Sequence, residues 1–266
     1  MKVAIMTDVH ANLPALEAAL AAIAREGCDQ IIHLGDVIGI GPYPSECLER
    51  MLNVTQMEFV MGNHDEWFAN GLPRPQPEWM SNGEVAHQRW THEQLDSALR
   101  VVVGQWPYVW RQQVGETAVL FTHYGLHPTQ RGFAPVVKPA TAVSLNQLFD
   151  KVLPPQIDGG RRTEDGGQRI SVVGRPSSVL FYGHDHAHAD ISDGGRRFVN
   201  PGSLGVGREA VARFTTAVFS PHQPPAITHH AVAYDDRELY ATFEKRQVPE
   251  RSFLYRVFYG GRFGRR

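Results

Sequence analysis

Five short polar signatures carry the side chains best suited to metal chemistry: Asp8-Val9-His10, Gly35-Asp36, Gly62-Asn63-His64-Asp65, Thr122-His123 and Gly183-His184-Asp185-His186. Carboxylates, imidazoles and a carboxamide are donors for hard or borderline cations. Two dications held about 3.5–4 Å apart want a carboxylate between them. Asp8, His10 and His186 can hold one ion, Asn63, His123 and His184 the other, and Asp36 can bridge. With a hydroxide also bridging, the formal charge of such a centre is about +1, so an anionic ester is attracted and its transition state stabilised.

These donors are scattered over most of the chain and must be brought together. Each signature follows a short apolar run, at residues 3–6, 31–34, 59–61, 119–121 and 179–182. Such runs, closed by glycine or a polar residue, read as buried strands. Residues just past the ends of such strands collect along one edge of a sheet.

The order of elements agrees with this. A strand at 2–7 leads to a helix capped by Asn12, with Pro14 in its first turn and Gly27 as its stop, and then to a strand at 30–34. Strand–helix–strand implies a parallel pair with a right-handed crossover. A short helix at 45–52 and a strand at 57–61 follow. The stretch from about 67 to 106 is rich in tryptophan and is expected to be a helical excursion beside the site, its rings mostly packing helices onto the sheet. A hairpin is expected at 109–122, a helix at 142–152, a mobile loop at about 154–176, and strands at 178–182, 189–192, 197–199, 214–219 and 227–232. A helix is expected at 235–244, and the basic, aromatic tail beyond it shows no readable pattern.

Composition sets the limits. A chain of 266 residues with 42% hydrophobic content suits one large α/β domain spanning 1–266. A formal net charge of -2 argues against a protein built mainly to hold nucleic acid. The two cysteines, Cys28 and Cys47, make no disulfide framework, and no apolar segment suits a bilayer. The expectation is a soluble, cytoplasmic protein with no membrane partner; nothing in the sequence speaks to its oligomeric state.

The spelling and order of the signatures resemble the calcineurin-like metallophosphoesterase superfamily: Asp-x-His, Gly-Asp, Gly-Asn-His-Asp, a lone His after a strand, and Gly-His-x-His. Five such pieces in order make a specific match. The stretches Ala11-Asn12-Leu13, Val37-Ile38-Gly39-Ile40-Gly41-Pro42 and Asn200-Pro201-Gly202-Ser203 extend it toward a small bacterial and archaeal phosphodiesterase-like branch, with relatives of diadenosine-tetraphosphatase and of bacterial protein phosphatases.

That resemblance implies an α/β fold, a four-layer α/β/β/α sandwich of two mixed sheets flanked by helices. It implies the ligand roles given above for two divalent or trivalent ions; Mn, Fe, Zn and Ni all suit these donors, with Mn favoured. A bridging hydroxide would attack phosphorus in line. His64 matches the family's catalytic histidine, bonding a phosphoryl oxygen or protonating the leaving group, with Asp65 orienting it. Asn12 is read as a helix cap that also contacts the ligands or phosphate, and Tyr43 as a pocket residue or, more simply, an aromatic packing residue. A small phosphate ester is the expected substrate.

The chain also departs from the family pattern. Members that dephosphorylate proteins carry Gly-Asp-x-x-Asp-Arg-Gly, where this chain has Gly35-Asp36-Val37-Ile38-Gly39-Ile40-Gly41. The aspartate that would pair with the histidine is missing, as is the arginine that would grip a monoester dianion. A singly charged diester needs that arginine less, so phosphodiesters are favoured over phosphomonoesters, protein phosphates or dinucleoside polyphosphates. A member that serves only as an interaction scaffold would be expected to lack ligands, and here the set is complete. Taken singly, a strand-end Asp or His is more often a turn former. His33 is expected to be structural, His188 solvent-facing, and His87, His92, His229 and His230 surface or packing residues.

Overall fold

In the computed structural model, residues 1–115, 117–127, 132–153, 178–193, 195–220 and 223–262 are described. The expected loop at 154–176 lies outside them.

The opening apolar run forms β1 (Lys2–Met6), followed by α1 (Leu13–Glu26) and β2 (Gln30–His33). Asn12 caps α1 by accepting the N–H of Ala15 at 3.1 Å, and Gly27 ends it in the left-handed conformation that a residue without Cβ adopts freely. Helix α2 (Pro44–Leu52) and β3 (Met57–Phe59) complete a parallel β1–β2–β3 unit. β3 stops two residues short of the strand expected at 57–61. The N–H of Met61 turns away to the carbonyl of Pro107, which takes the chain off the sheet.

The excursion holds α3 (Asn63–Asn70), α4 (Asn82–Glu93) and α5 (Leu99–Val103). It begins earlier than expected, because the Asn63-His64-Asp65 signature is itself the first turn of α3. Trp106 stacks on Phe59 at 4.5 Å between ring centroids, fastening the excursion to the first sheet.

The second sheet starts with the antiparallel hairpin of β4 (Val109–Val114) and β5 (Thr117–Thr122). After α6 (Ala142–Leu148) come β6 (Ser178–Phe181), β7 (Ala189–Ser192) and β8 (Arg196–Asn200). The chain then returns to the first sheet with β9 (Val211–Ser220) and β10 (Gln223–Ala233), both longer than their alternation suggested. Helices α7 (Arg237–Lys245) and α8 (Arg251–Phe258) follow. The unpatterned tail thus contains a helix, with Leu254, Tyr255 and Tyr259 buried.

The sheets are ordered β10-β9-β1-β2-β3 and β4-β5-β6-β8-β7, each mixed parallel and antiparallel. Their facing sides bury one apolar layer that includes Val3, Ile5, Ile32, Phe121, Val179 and Phe181. Leu16, Leu48, Leu239 and Leu254, from α1, α2, α7 and α8, join the cluster on the outside of the first sheet, and Leu145 and Phe149 join that of the second. This is a four-layer α/β/β/α sandwich. Among the described residues, no helix is long and apolar enough to cross a membrane.

Candidate metal centre

The loops leaving β1 and β2 are laced together. The N–H groups of Asp8, His10 and Ala11 donate to the carbonyls of Gly35, Asp36 and Val37 at 3.0, 3.0 and 2.9 Å. To hold that pairing, Asp8, His10, Ala11, Asp36 and Ile40 adopt positive φ, and so do His184 and His186 beyond β6. Each such residue costs about 1–3 kcal/mol, and clusters of them mark sites whose surroundings over-determine the backbone.

Asp36 sits at the centre of the resulting cluster. Its Oδ2 lies 3.3 Å from His123 Nε2, 3.8 Å from His10 Nε2 and 4.0 Å from His64 Nε2. On one side, Asp8 Oδ1 is 3.7 Å from both His10 Nε2 and His186 Nε2, and these two nitrogens are 2.9 Å apart. On the other, His123 Nε2 lies 3.1 Å from Asn63 Oδ1 and 3.2 Å from His184 Nδ1. The structure therefore brings together all seven expected donors, Asp8, His10, Asp36, Asn63, His123, His184 and His186. Asp8, His10, Asp36 and His123 are buried, while Asn63, His64, His184 and His186 form the side that solvent reaches.

Several of these contacts set acceptor against acceptor. His10 Nδ1 donates to the carbonyl of Ile38 at 3.3 Å and His123 Nδ1 to that of Leu34 at 2.9 Å, which leaves each Nε2 lone pair facing inward. Asn63 points its carboxamide oxygen at Asp36, His123 and His184. Turned over, its nitrogen would donate to them at 3.2, 3.1 and 2.9 Å. The oxygen-inward orientation makes sense once a cation lies among these atoms. Ligands about 2.0–2.2 Å from an ion sit about 3–3.6 Å from one another, close to the spacings seen here. The donor set fits a metal ion, and ligand atoms of Asp8, His10 and His186 and of Asp36, His123 and His184 each gather within 4.8 Å.

Burial holds His10 well below its ordinary range, and it holds His184 at about 3 and His186 at about 4, so these rings keep their lone pairs at neutral pH. Burial also works against charge on His123, but Asp36 overcomes it and lifts the ring to about 9. A proton and a cation therefore compete for the same position beside Asp36. Burial and the charge of Asp36 push Asp8 up to about 7, with His123 opposing.

Three expected roles need correction. The carboxylate of Asp65 does not reach the ring of His64. It accepts the N–H groups of Asp36, Val37 and Gly62 at 2.7, 3.1 and 3.2 Å, because the third position of α3 turns it back over the helix start. Gly62 belongs to the same knot, since a Cβ there would lie 2.2 Å from the nitrogen of Asp36. Asn12 does not face phosphate: its Nδ2 donates to the carbonyl of Gly205 at 2.6 Å and to the hydroxyl of Tyr234 at 2.9 Å while its oxygen caps α1. The Tyr43 hydroxyl lies 2.6 Å from Thr242 Oγ1, so it ties α2 to α7 and does not line the cluster.

Other residues beside the site escaped the sequence reading. Gln88 of α4 places its amide nitrogen 2.8 Å from His64 Nδ1. Phe258 of α8 lies against His186 with ring centroids 5.9 Å apart. Neither belongs to a motif, and no spacing points to either. Ser203 Oγ donates to the carbonyl of Asp8 at 2.8 Å, which explains the Asn200-Pro201-Gly202-Ser203 turn. Trp67 lies 4.9 Å from His64 and stacks with the exposed Trp79. His33 is buried against Phe59, and His188 meets His229 on the outer surface.

A family model described as calcineurin-like phosphoesterase matches residues 1–188. A metallophosphoesterase of known structure from Sphaerobacter thermophilus is 25% identical, covering 96% of this chain and 97% of its own, with a TM-score of 0.64. A hypothetical protein from Pyrococcus horikoshii OT3 shares the fold with a TM-score of 0.73 at 20% identity, covering 98% of both chains. An uncharacterized protein of Methanocaldococcus jannaschii is 23% identical over 253 residues, 93% of this chain and 94% of that protein.

Proposed function

Because the chain belongs to the calcineurin-like phosphoesterase family and is a hydrolase of phosphate esters, we propose that it works with two metal ions and prefers small phosphodiesters. The observation that carries this reading is the double cluster around Asp36, with Asp8, His10 and His186 on one side and Asn63, His123 and His184 on the other. Bound cations would supply the Lewis acidity that activates water and draws in an anionic ester.

The chain's own groups do the rest. Asp36 keeps negative charge between the two histidine sets. Backbone carbonyls hold His10 and His123 in the tautomer that offers Nε2. His64, on the rim that solvent reaches, supports hydrogen bonding to a phosphoryl or leaving-group oxygen. The diester preference rests on the 35–41 loop, which carries no arginine to pair with a doubly charged monoester. Mn²⁺ is the favoured metal among Mn, Fe, Zn and Ni.

A panel of phosphomonoesters, phosphodiesters and dinucleoside polyphosphates assayed with Mn²⁺ tests this reading. The expected result is the highest kcat/KM on a diester. A higher value on monoesters would overturn the preference, and no turnover of any ester would overturn the phosphoesterase assignment.

A further inference from the structure

We infer that Gln88 is a positioning residue that decides which nitrogen of His64 carries the proton, holding the ring as an Nε2–H donor toward the metal cluster. Gln88 is buried on α4, with its Nε2 2.8 Å from His64 Nδ1. An amide nitrogen can only donate, so Nδ1 accepts and the ring proton sits on Nε2.

The other end of the ring supports the same tautomer. His64 Nε2 lies 4.0 Å from Asp36 Oδ2, where a proton meets negative charge and a lone pair would be repelled. As placed, the amide directs one of its two N–H groups to His64 and leaves its Oε1 without a partner among the described residues. Turning it over would leave two buried N–H donors unpaired instead, a costlier arrangement.

The loop facing this nitrogen leaves no room for a side chain of its own. The nearest loop position is Gly39, at φ +83, and a Cβ there would lie 2.3 Å from His64 Nδ1. The preceding residue on α4, His87, accepts the N–H of Ile40 at 2.9 Å, so the helix that delivers Gln88 is anchored to the loop that leaves the gap. A carboxamide orients the ring without adding charge beside two buried aspartates, which a carboxylate partner would do. The role in turnover rests on the phosphoesterase reading; the tautomer does not.

Heteronuclear NMR of metal-free protein carrying isotope-labelled histidine tests the tautomer at about pH 8, above the ordinary value of a free imidazole. His64 is assigned by the signals lost in His64→Ala. The expected spectrum shows an unprotonated Nδ1 and a protonated Nε2, and Gln88→Leu shifts both toward a mixture. A protonated Nδ1, or unchanged shifts in the variant, overturns the inference. Gln88→Met, of similar length, serves if the leucine variant does not fold.

On bis(p-nitrophenyl) phosphate with Mn²⁺, Gln88→Leu is expected to lower kcat by about 10- to 100-fold with KM changed less than about twofold. In a His64→Ala background the same change should cost nothing further, whereas additive losses would mean a purely structural role and overturn the inference. If wild-type protein hydrolyses no phosphate ester, the phosphoesterase reading fails while the NMR result still decides the tautomer.

Discussion

The carboxylate of Asp65 accepts the backbone N–H of Asp36 at 2.7 Å. The last residue of the Gly62-Asn63-His64-Asp65 signature therefore serves the middle of the cluster from behind. It also takes the N–H groups of Val37 and Gly62, fixing the loop after β2 against the start of α3. Burial and the charge of Asp36 push Asp65 up to about 7, while its three N–H partners favour the carboxylate.

Asp65→Asn follows directly from this knot. The new amide would turn N–H against N–H at one of the three bonds. Urea unfolding is expected to show a loss of about 2–4 kcal/mol, with metal affinity falling because Asp36 is displaced. Unchanged stability would show that the three bonds contribute nothing net.

Asp36→Asn should act differently. The amide keeps the shape but removes the charge shared by His10, His64 and His123. Titration calorimetry is expected to show loss of at least one Mn²⁺ equivalent, and turnover should fall at least about a thousandfold. His64→Ala should keep the metals and lose about a hundredfold or more in kcat. Full activity in both variants would sink the proposed mechanism.

Asn12→Ala separates the helix cap from any contact with the ligands or phosphate. It removes the cap of α1 and the bonds to Gly205 and Tyr234. Stability is expected to drop by about 2–3 kcal/mol, with KM unchanged for protein that remains folded. A raised KM at unchanged stability would restore the substrate contact.

Stability should also depend on His87. Burial, aided by the charge of His64, holds it at about 3, below its ordinary value of 6.5. Above pH 6.5 neither folded nor unfolded chain protonates it and its contribution is complete. As pH falls from 6.5 toward 3, only the unfolded chain takes up the proton, so stability is lost at up to about 1.4 kcal/mol per pH unit. Metal-free His87→Gln unfolded in urea between about pH 7.5 and pH 5 should show a shallower acid slope than wild type. Parallel slopes would place His87 in a solvated environment.

The convergence of these side chains was legible because each follows a short buried strand, and strand ends must share an edge once the sheet forms. Asn12 and Gly27 were legible as caps because capping depends on residues next to each other in sequence. Contacts between elements were not. Gln88 reaches His64 only because α4 folds back over the 39–41 loop, and a lone glutamine in a polar helix shows no period. Asp65 was misread because proximity in sequence suggested the ring of His64, whereas a helix's first turn points its third residue backward. The helix at Arg251–Phe258 was hidden because the exposed apolar side chains of Phe253 and Val257 blur its two-sided pattern. For Tyr43 the packing reading holds and the pocket reading does not, because α7 claims its hydroxyl.

Asp8, Asp36 and Asn63 hang from strands of the first sheet, while His123, His184 and His186 hang from the second. An ion gripped by both groups is a rivet through the sandwich, and a chelator would loosen the seam between the layers before it frayed either one. Amide exchange should then quicken first at β1 and β6, which face each other across that seam, and last at the outer helices.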